Sequence, residues 1–98
     1  MESTIEGNVS GSMTISDVFA IPGRGSVVTG TVNTGHFAVG YPVEIIHKNG
    51  QRTESKIDGI ESIRKKMEIA NCGEHVSLLL PGIDKSILQP GDIVSRKE

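Results

Sequence analysis

The stretch Asp17 to Val32, DVFAIPGRGSVVTGTV, carries Gly23, Gly25 and Gly30 and invites a test for phosphate chemistry. A P-loop needs two glycines with four residues between them, then Lys and Ser or Thr, because the lysine meets the phosphates and the hydroxyl holds magnesium. Gly25 and Gly30 have the spacing, but Thr31 and Val32 follow, so no cation stands where one is required. The dinucleotide fingerprint matches at Gly23 and Gly25, yet Val28 fills its third position, where close helix packing asks for a small residue. Both templates also demand a helix next, whereas Val27, Val28, Thr29, Thr31 and Val32 are β-branched and favour a pleated strand. The stretch reads as strand, turn, strand.

Other chemistry is thinner still. Asp17 and Glu61 could form an acid and base pair, but no nucleophile, cofactor motif or orienting third group accompanies them. His36, His47 and His75 are widely spaced and lack a metal-ligand pattern. The single cysteine, Cys72, excludes an internal disulfide and a cysteine-based zinc site, and suits a reducing compartment. We therefore expect a protein that is not an enzyme, with no catalytic residues, no metal site and no cofactor.

The elements that must position any site are strands. Ninety-eight residues make one domain, which buries about 60–65% of the unfolded surface. Twelve glycines point to many turns. Met13 to Ile21 alternates at Met13 and Ile15 and changes phase at Val18 and Phe19, as a β-bulge requires. Pro22-Gly23 suits a turn. Further strands are expected over Ser26 to Asn33, with Thr34-Gly35 opening a loop, and over Tyr41 to Lys48, Arg52 to Ile57, His75 to Leu80 and Asp92 to Ser95. Asn49-Gly50 marks a hairpin. His75 to Leu80 reads as fully buried, and Asp84 to Leu88 as a single helical turn. Six or more short strands predict an all-β antiparallel barrel, since closure removes exposed edges. No apolar run has the ~18 residues of a membrane span, and MESTIEGNVSG lacks the parts of a signal peptide. The chain reads as soluble and cytoplasmic. Its net charge of −2 gives no global attraction to DNA or to a membrane surface.

DVFAIPGRGSVVTGTV, VEI, GIESIRK, the stretch from Ala70 through GEHVSLLLPGI, and the closing GDIV together resemble the second domain of elongation factor Tu and related translational GTPases. The resemblance runs from about Ile15 to Val94 and implies a closed six-stranded antiparallel Greek-key β-barrel over residues 12–98, preceded by an N-terminal arm, partly flexible, over residues 1–11. It does not bring a GTPase: the sequence has no phosphate loop, no NKxD and no DxxG. Nucleotide hydrolysis would come from a GTPase domain on the same or another chain.

Relatives that carry aminoacyl-tRNA hold its 3′ terminal adenosine in a shallow pocket of this barrel. By resemblance the RNA-binding residues here are Ile21, Gly23, Val27, Glu61 and Leu79, with Arg64 near the CCA backbone and Phe19 near the aminoacyl group. Ile21, Val27 and Leu79 would face the base, Gly23 would admit close backbone approach, Glu61 would accept from a ribose 2′-hydroxyl, and Arg64 would meet a phosphate. Three positions depart from the pattern: Ser16 and His75 stand where relatives often carry glutamate and asparagine, and Pro90 replaces a basic residue. Two expectations follow: a module that binds the 3′ end of tRNA or ribosomal RNA, or a protein-interaction or structural barrel in which Ile21, Val27 and Leu79 are simply core. Arg24 reads either as a solvated turn residue or as the partner of a carboxylate.

Overall fold

A computed structural model of the protein describes residues 11–63 and 65–97. The described chain is all-β, with nine antiparallel strands and one 3₁₀ turn at Lys85–Ile87. The strands are β1 (Gly11–Ile21), β2 (Gly25–Ala38), β3 (Pro42–Ile46), β4 (Arg52–Lys56), β5 (Gly59–Ser62), β6 (Lys65–Met67), β7 (Ile69–Asn71), β8 (His75–Pro81) and β9 (Ile93–Arg96). Gly11, the last residue of the expected arm, opens β1, and the rest of that arm lies outside the described residues.

Hydrogen-bonded neighbours run β4-β3-β9-β1-β2-β8-β5-β6, with β7 paired to β2 off this path. This corrects the expected closed six-stranded barrel: among the described residues there are nine strands, and no ladder joins β4 to β6. The end strands account for the open seam. β4 is five residues long, with Arg52, Glu54 and Lys56 exposed, and β6 is three residues with Lys65 and Lys66 exposed. Short, charged edge strands resist further pairing. Where the chain leaves β4, the Asp58 amide donates to the Leu79 carbonyl at 2.9 Å, beside the Gly59–Leu79 pairing that opens the β5–β8 ladder.

Two of the extra strands, β6 and β7, come from residues for which the sequence predicts no strand. β5 pairs with β6, so Lys65-Lys66 is part of a ladder opposite Glu61-Ser62, and β7 pairs with the far end of β2. β2 itself does not stop at Thr34-Gly35. Gly35 takes φ +63°, and the strand continues to Ala38, serving β8 up to Thr31 and β7 from His36 onward. The positive φ expresses itself as a bend within the strand.

The bulge in β1 lies where the alternation breaks, with the register shifting between Ile15 and Asp17. Ser16 is the extra residue, and its hydroxyl donates to the Thr29 carbonyl at 3.0 Å. Gly30 sits beside this bulge: a Cβ there would collide with the Thr14 carbonyl oxygen, so β1 and β2 approach as they do only because the position is glycine. Inward residues form one core that includes Met13, Ile15, Val28, Phe37, Ile45, Ile57, Ile60, Leu78 and Val94. The corner after β1 is a turn in which the Arg24 amide donates to the Ile21 carbonyl at 2.9 Å and Gly23 takes φ +79°. Pro22 and Gly23 supply the two central conformations of a type II turn.

One polar cluster is built into the framework. Asp92 is fully buried, and His47 is 11% exposed. The Asp92 carboxylate accepts from His47 Nδ1 at 3.0 Å, from the Lys48 amide at 3.2 Å and from the Gln89 amide at 3.2 Å. A carboxylate only accepts, so Nδ1 carries the proton. His47 Nε2 meets Thr53 Oγ1 at 2.8 Å. This clasp fixes the β3–β4 hairpin to the turn before β9. Its partners lie up to 45 residues apart, too far for any local pattern to reveal.

Candidate functional site

β8 does not read in the structure as it does in the sequence. Val76, Leu78 and Leu80 are buried, but Ser77 and Leu79 alternate with them and are only half-buried, so the strand has an outer face. The same period places Val27 and Thr29 on the outer face of β2, and Gly59 and Glu61 on that of β5. Register aligns these residues into two rows. One runs Phe19, Val27, Leu79, Gly59; the other runs Asp17, Thr29, Ser77, Glu61, Lys66. An apolar row thus lies beside a polar one.

Over these rows opens a groove of about 340 Å³. Ile21, Val27 and Leu79 form its apolar part, Glu61, Ser77 and Lys66 one side, and Asp58, Glu68, Met67 and Val39 another, with Arg24 at the turn. Four residues expected at the site, Ile21, Val27, Glu61 and Leu79, therefore line one cavity although they come from four different strands. The three apolar ones are half-buried and outside the core cluster, which removes the reading of them as core packing. Phe19 does not line the groove, but it is 55% exposed and continues the apolar row from Val27. Gly23 does not line it either; it shapes the adjoining turn, and nothing stands within 4 Å of where its Cβ would be. Arg64 lies outside the described residues.

The departing positions are engaged within the fold. Ser16 is held by Thr29, and His75 Nδ1 meets Thr31 Oγ1 at 3.1 Å. Pro90 lies in the exposed turn before β9. The three histidines have different partners: His36 meets Tyr41, His47 meets Asp92, and His75 meets Thr31. Among the described residues no three His, Cys, Asp or Glu side chains gather as metal ligands.

Sequence reasoning missed Arg24, Val39, Asp58, Gly59, Ile60, Lys66, Met67, Glu68 and Ser77 as groove residues. Ser77 was within reach, since alternation from Leu79 puts it on the same face. Lys66, Met67 and Glu68 were not, because their placement needs β6, a three-residue strand of sequence KKM with no alternating pattern. Arg24 was left between a solvated turn and a carboxylate partner. It stands at the groove mouth, and no ion pair joins it to another described residue.

A curved antiparallel sheet carrying a groove on the outside of its β2–β8–β5 ladder defines the chain as an all-β module, and among the described residues no helix is long and apolar enough to cross a membrane. Residues 25–95 match the family model for elongation factor Tu domain 2, and the chain belongs to that family. It is a β module of translation-factor type.

Proposed function

We propose that this chain is a non-catalytic RNA-end holder that receives the CCA or aminoacyl end of tRNA, or an equivalent unpaired segment of ribosomal RNA, in the β2–β8–β5 groove. Any GTP hydrolysis coupled to it is supplied by a GTPase domain on the same or another chain, in the cytoplasm. The observation that supports this reading most is the convergence of Ile21, Val27, Glu61 and Leu79 on one cavity. The apolar part suits the face of a base, and Glu61 in the neighbouring polar row suits a ribose 2′-hydroxyl. Phe19 continues the apolar surface toward whatever the terminal nucleotide carries. By the family resemblance, Arg64 would meet a phosphate of the same strand.

Affinity is expected to be modest. The groove has three carboxylates, Asp58, Glu61 and Glu68, against two cations, Arg24 and Lys66, so counterion release contributes little. A short CCA-ended RNA titrated into labelled protein at low salt tests the reading. Amide shifts should cluster at Ile21, Val27, Glu61 and Leu79, and Glu61→Ala should weaken binding about tenfold, the loss of one charge-assisted hydrogen bond. Absent or scattered shifts, with Glu61→Ala equal to wild type, would overturn it in favour of a protein-interaction barrel.

A further inference from the structure

The clasp has a chemical order as well as a structural one. Asp92 accepts from His47 Nδ1–H, and a neutral imidazole with its proton on Nδ1 keeps a lone pair on Nε2. Thr53 Oγ1 lies 2.8 Å from that nitrogen, so its hydroxyl donates to a base whose tautomer a buried carboxylate fixes. Hydroxyl, imidazole and carboxylate in this order are the parts by which a weakly nucleophilic alcohol is activated. Thr31 makes a useful contrast: it meets His75 Nδ1 at 3.1 Å, but no carboxylate among the described residues orients that ring.

Complete burial would make the Thr53–His47–Asp92 relay inert. Instead, Thr53 and His47 both line an open pocket of about 640 Å³. Its walls suit an acyl group. Ile87 is exposed and offers an apolar surface, while Lys48 brings a cation that an oxyanion in the pocket would attract, and no carboxylate belongs to the lining. Gly91 leaves room for the Lys48 stem: a Cβ there would stand 3.2 Å from Lys48 Cδ and 3.3 Å from Nζ. None of the pocket's residues lines the RNA groove.

We propose that Thr53 is an acyl-acceptor hydroxyl, activated by His47 and Asp92, that takes a short acyl group from an activated ester. Thr53 Oγ1 bonds to the ester carbonyl carbon as its proton passes to His47 Nε2. The bond from that carbon to the leaving alcohol oxygen then breaks, and the leaving oxygen takes the proton from Nε2. The products are O-acyl-Thr53 and the free alcohol, with His47 neutral again. Threonine is a secondary alcohol crowded by its methyl group, so uptake is slow and calls for a good leaving group. Such an uptake is a modification of the chain; it goes beyond the RNA-end reading and does not rest on it.

The full chain treated with p-nitrophenyl acetate tests this, with p-nitrophenol release followed by absorbance and the acetylated residue located by peptide mass mapping. A Cys72→Ser background removes the exposed thiol, which attacks such esters by itself. Thr53 should acetylate about a hundredfold faster than Thr34, an exposed threonine whose partner, Ser12, is no base, and faster than Thr31. Thr53→Ser should react faster than wild type, because its primary hydroxyl is less hindered. His47→Gln, checked for the amide spectrum of the folded sheet, should bring Thr53 down to the rate of Thr34. Acetylation of Thr53 no faster than that of Thr34 in the chain with His47 intact overturns the proposal, whatever becomes of the variants. Undiminished release by Thr53→Val would make His47 the attacking group and would remove Thr53 as the acceptor.

Discussion

The His47–Asp92 clasp and the groove both hold carboxylates at defined positions, and they treat them in opposite ways. In the clasp the buried Asp92 accepts three hydrogen bonds, two of them from backbone amides, and His47 has both ring nitrogens engaged. In the groove Asp58, Glu61 and Glu68 are exposed, and no ion pair among the described residues reaches them. A buried carboxylate is tolerated only when its lone pairs are used, which commits it to structure. An exposed one with free lone pairs costs the fold little and stays available to a ligand. The comparison separates polar groups that hold the sheet together from polar groups that it displays.

The largest expected effect comes from breaking the clasp. Asp92→Ala takes the buried acceptor away from His47 Nδ1–H and from the part-buried Lys48 and Gln89 amides, and should destabilise the fold by about 2–4 kcal/mol in urea or thermal unfolding. RNA binding by the fraction still folded should match wild type, because no clasp residue lines the groove. A loss below about 1 kcal/mol would mean that the cluster is wetter or looser than its geometry states, and the contrast with the groove would weaken.

Two glycines sharpen the comparison at the level of backbone. Gly30→Ala forces a Cβ against the Thr14 carbonyl, which has no flexible end to move aside, so β1 and β2 must separate; we expect a loss of about 1–3 kcal/mol. Gly59→Ala meets nothing closer than 3.8 Å, and relief of unfolded-chain entropy makes it neutral or stabilising by up to about 1 kcal/mol. Paired unfolding curves check both. If Gly59→Ala proved as costly as Gly30→Ala, the bare backbone at Gly59 would be a requirement of the fold and not a feature of the site.

The same contrast explains what could be read from the sequence. Period-two alternation marks Met13 and Ile15 as inward and breaks where the bulge at Ser16 falls, Pro22-Gly23 writes its own turn, and Asp84 to Leu88 announces the 3₁₀ turn, because each depends on neighbours along the chain. β6 and β7 are held by partners in β5 and β2 and carry no pattern of their own, so a barrel of six strands was expected where nine form an open sheet. Leu79 looked buried inside the run HVSLLLP, and only its pairing with Val27 and Gly59 turns it outward into the groove. The groove residues supplied by family resemblance, Ile21, Val27, Glu61 and Leu79, do meet. Asp58, Gly59 and Glu68 escaped because a glycine and two exposed acids resemble any loop until the register is known.

The smallest effect asks whether pairing or burial divides the two regions. Asp84 is exposed yet paired: its Oδ2 accepts from the Ser86 amide at 3.1 Å and from the Ser86 hydroxyl, capping the 3₁₀ turn. These bonds, the side-chain one foremost, hold its carboxyl below the ordinary value of 3.8. A carboxyl depressed by folding adds stability that is present above its unfolded pKa and is lost as pH falls through the folded one. Ser86→Ala removes the larger cause, so the variant's melting temperature should lie slightly below wild type at neutral pH and converge with it as pH falls through the aspartate range, giving a shallower acid limb. Superimposable acid limbs for the two proteins would show that an exposed pair of this kind contributes nothing. Burial would then be what makes Asp92 structural, and the groove carboxylates would owe their availability to exposure alone.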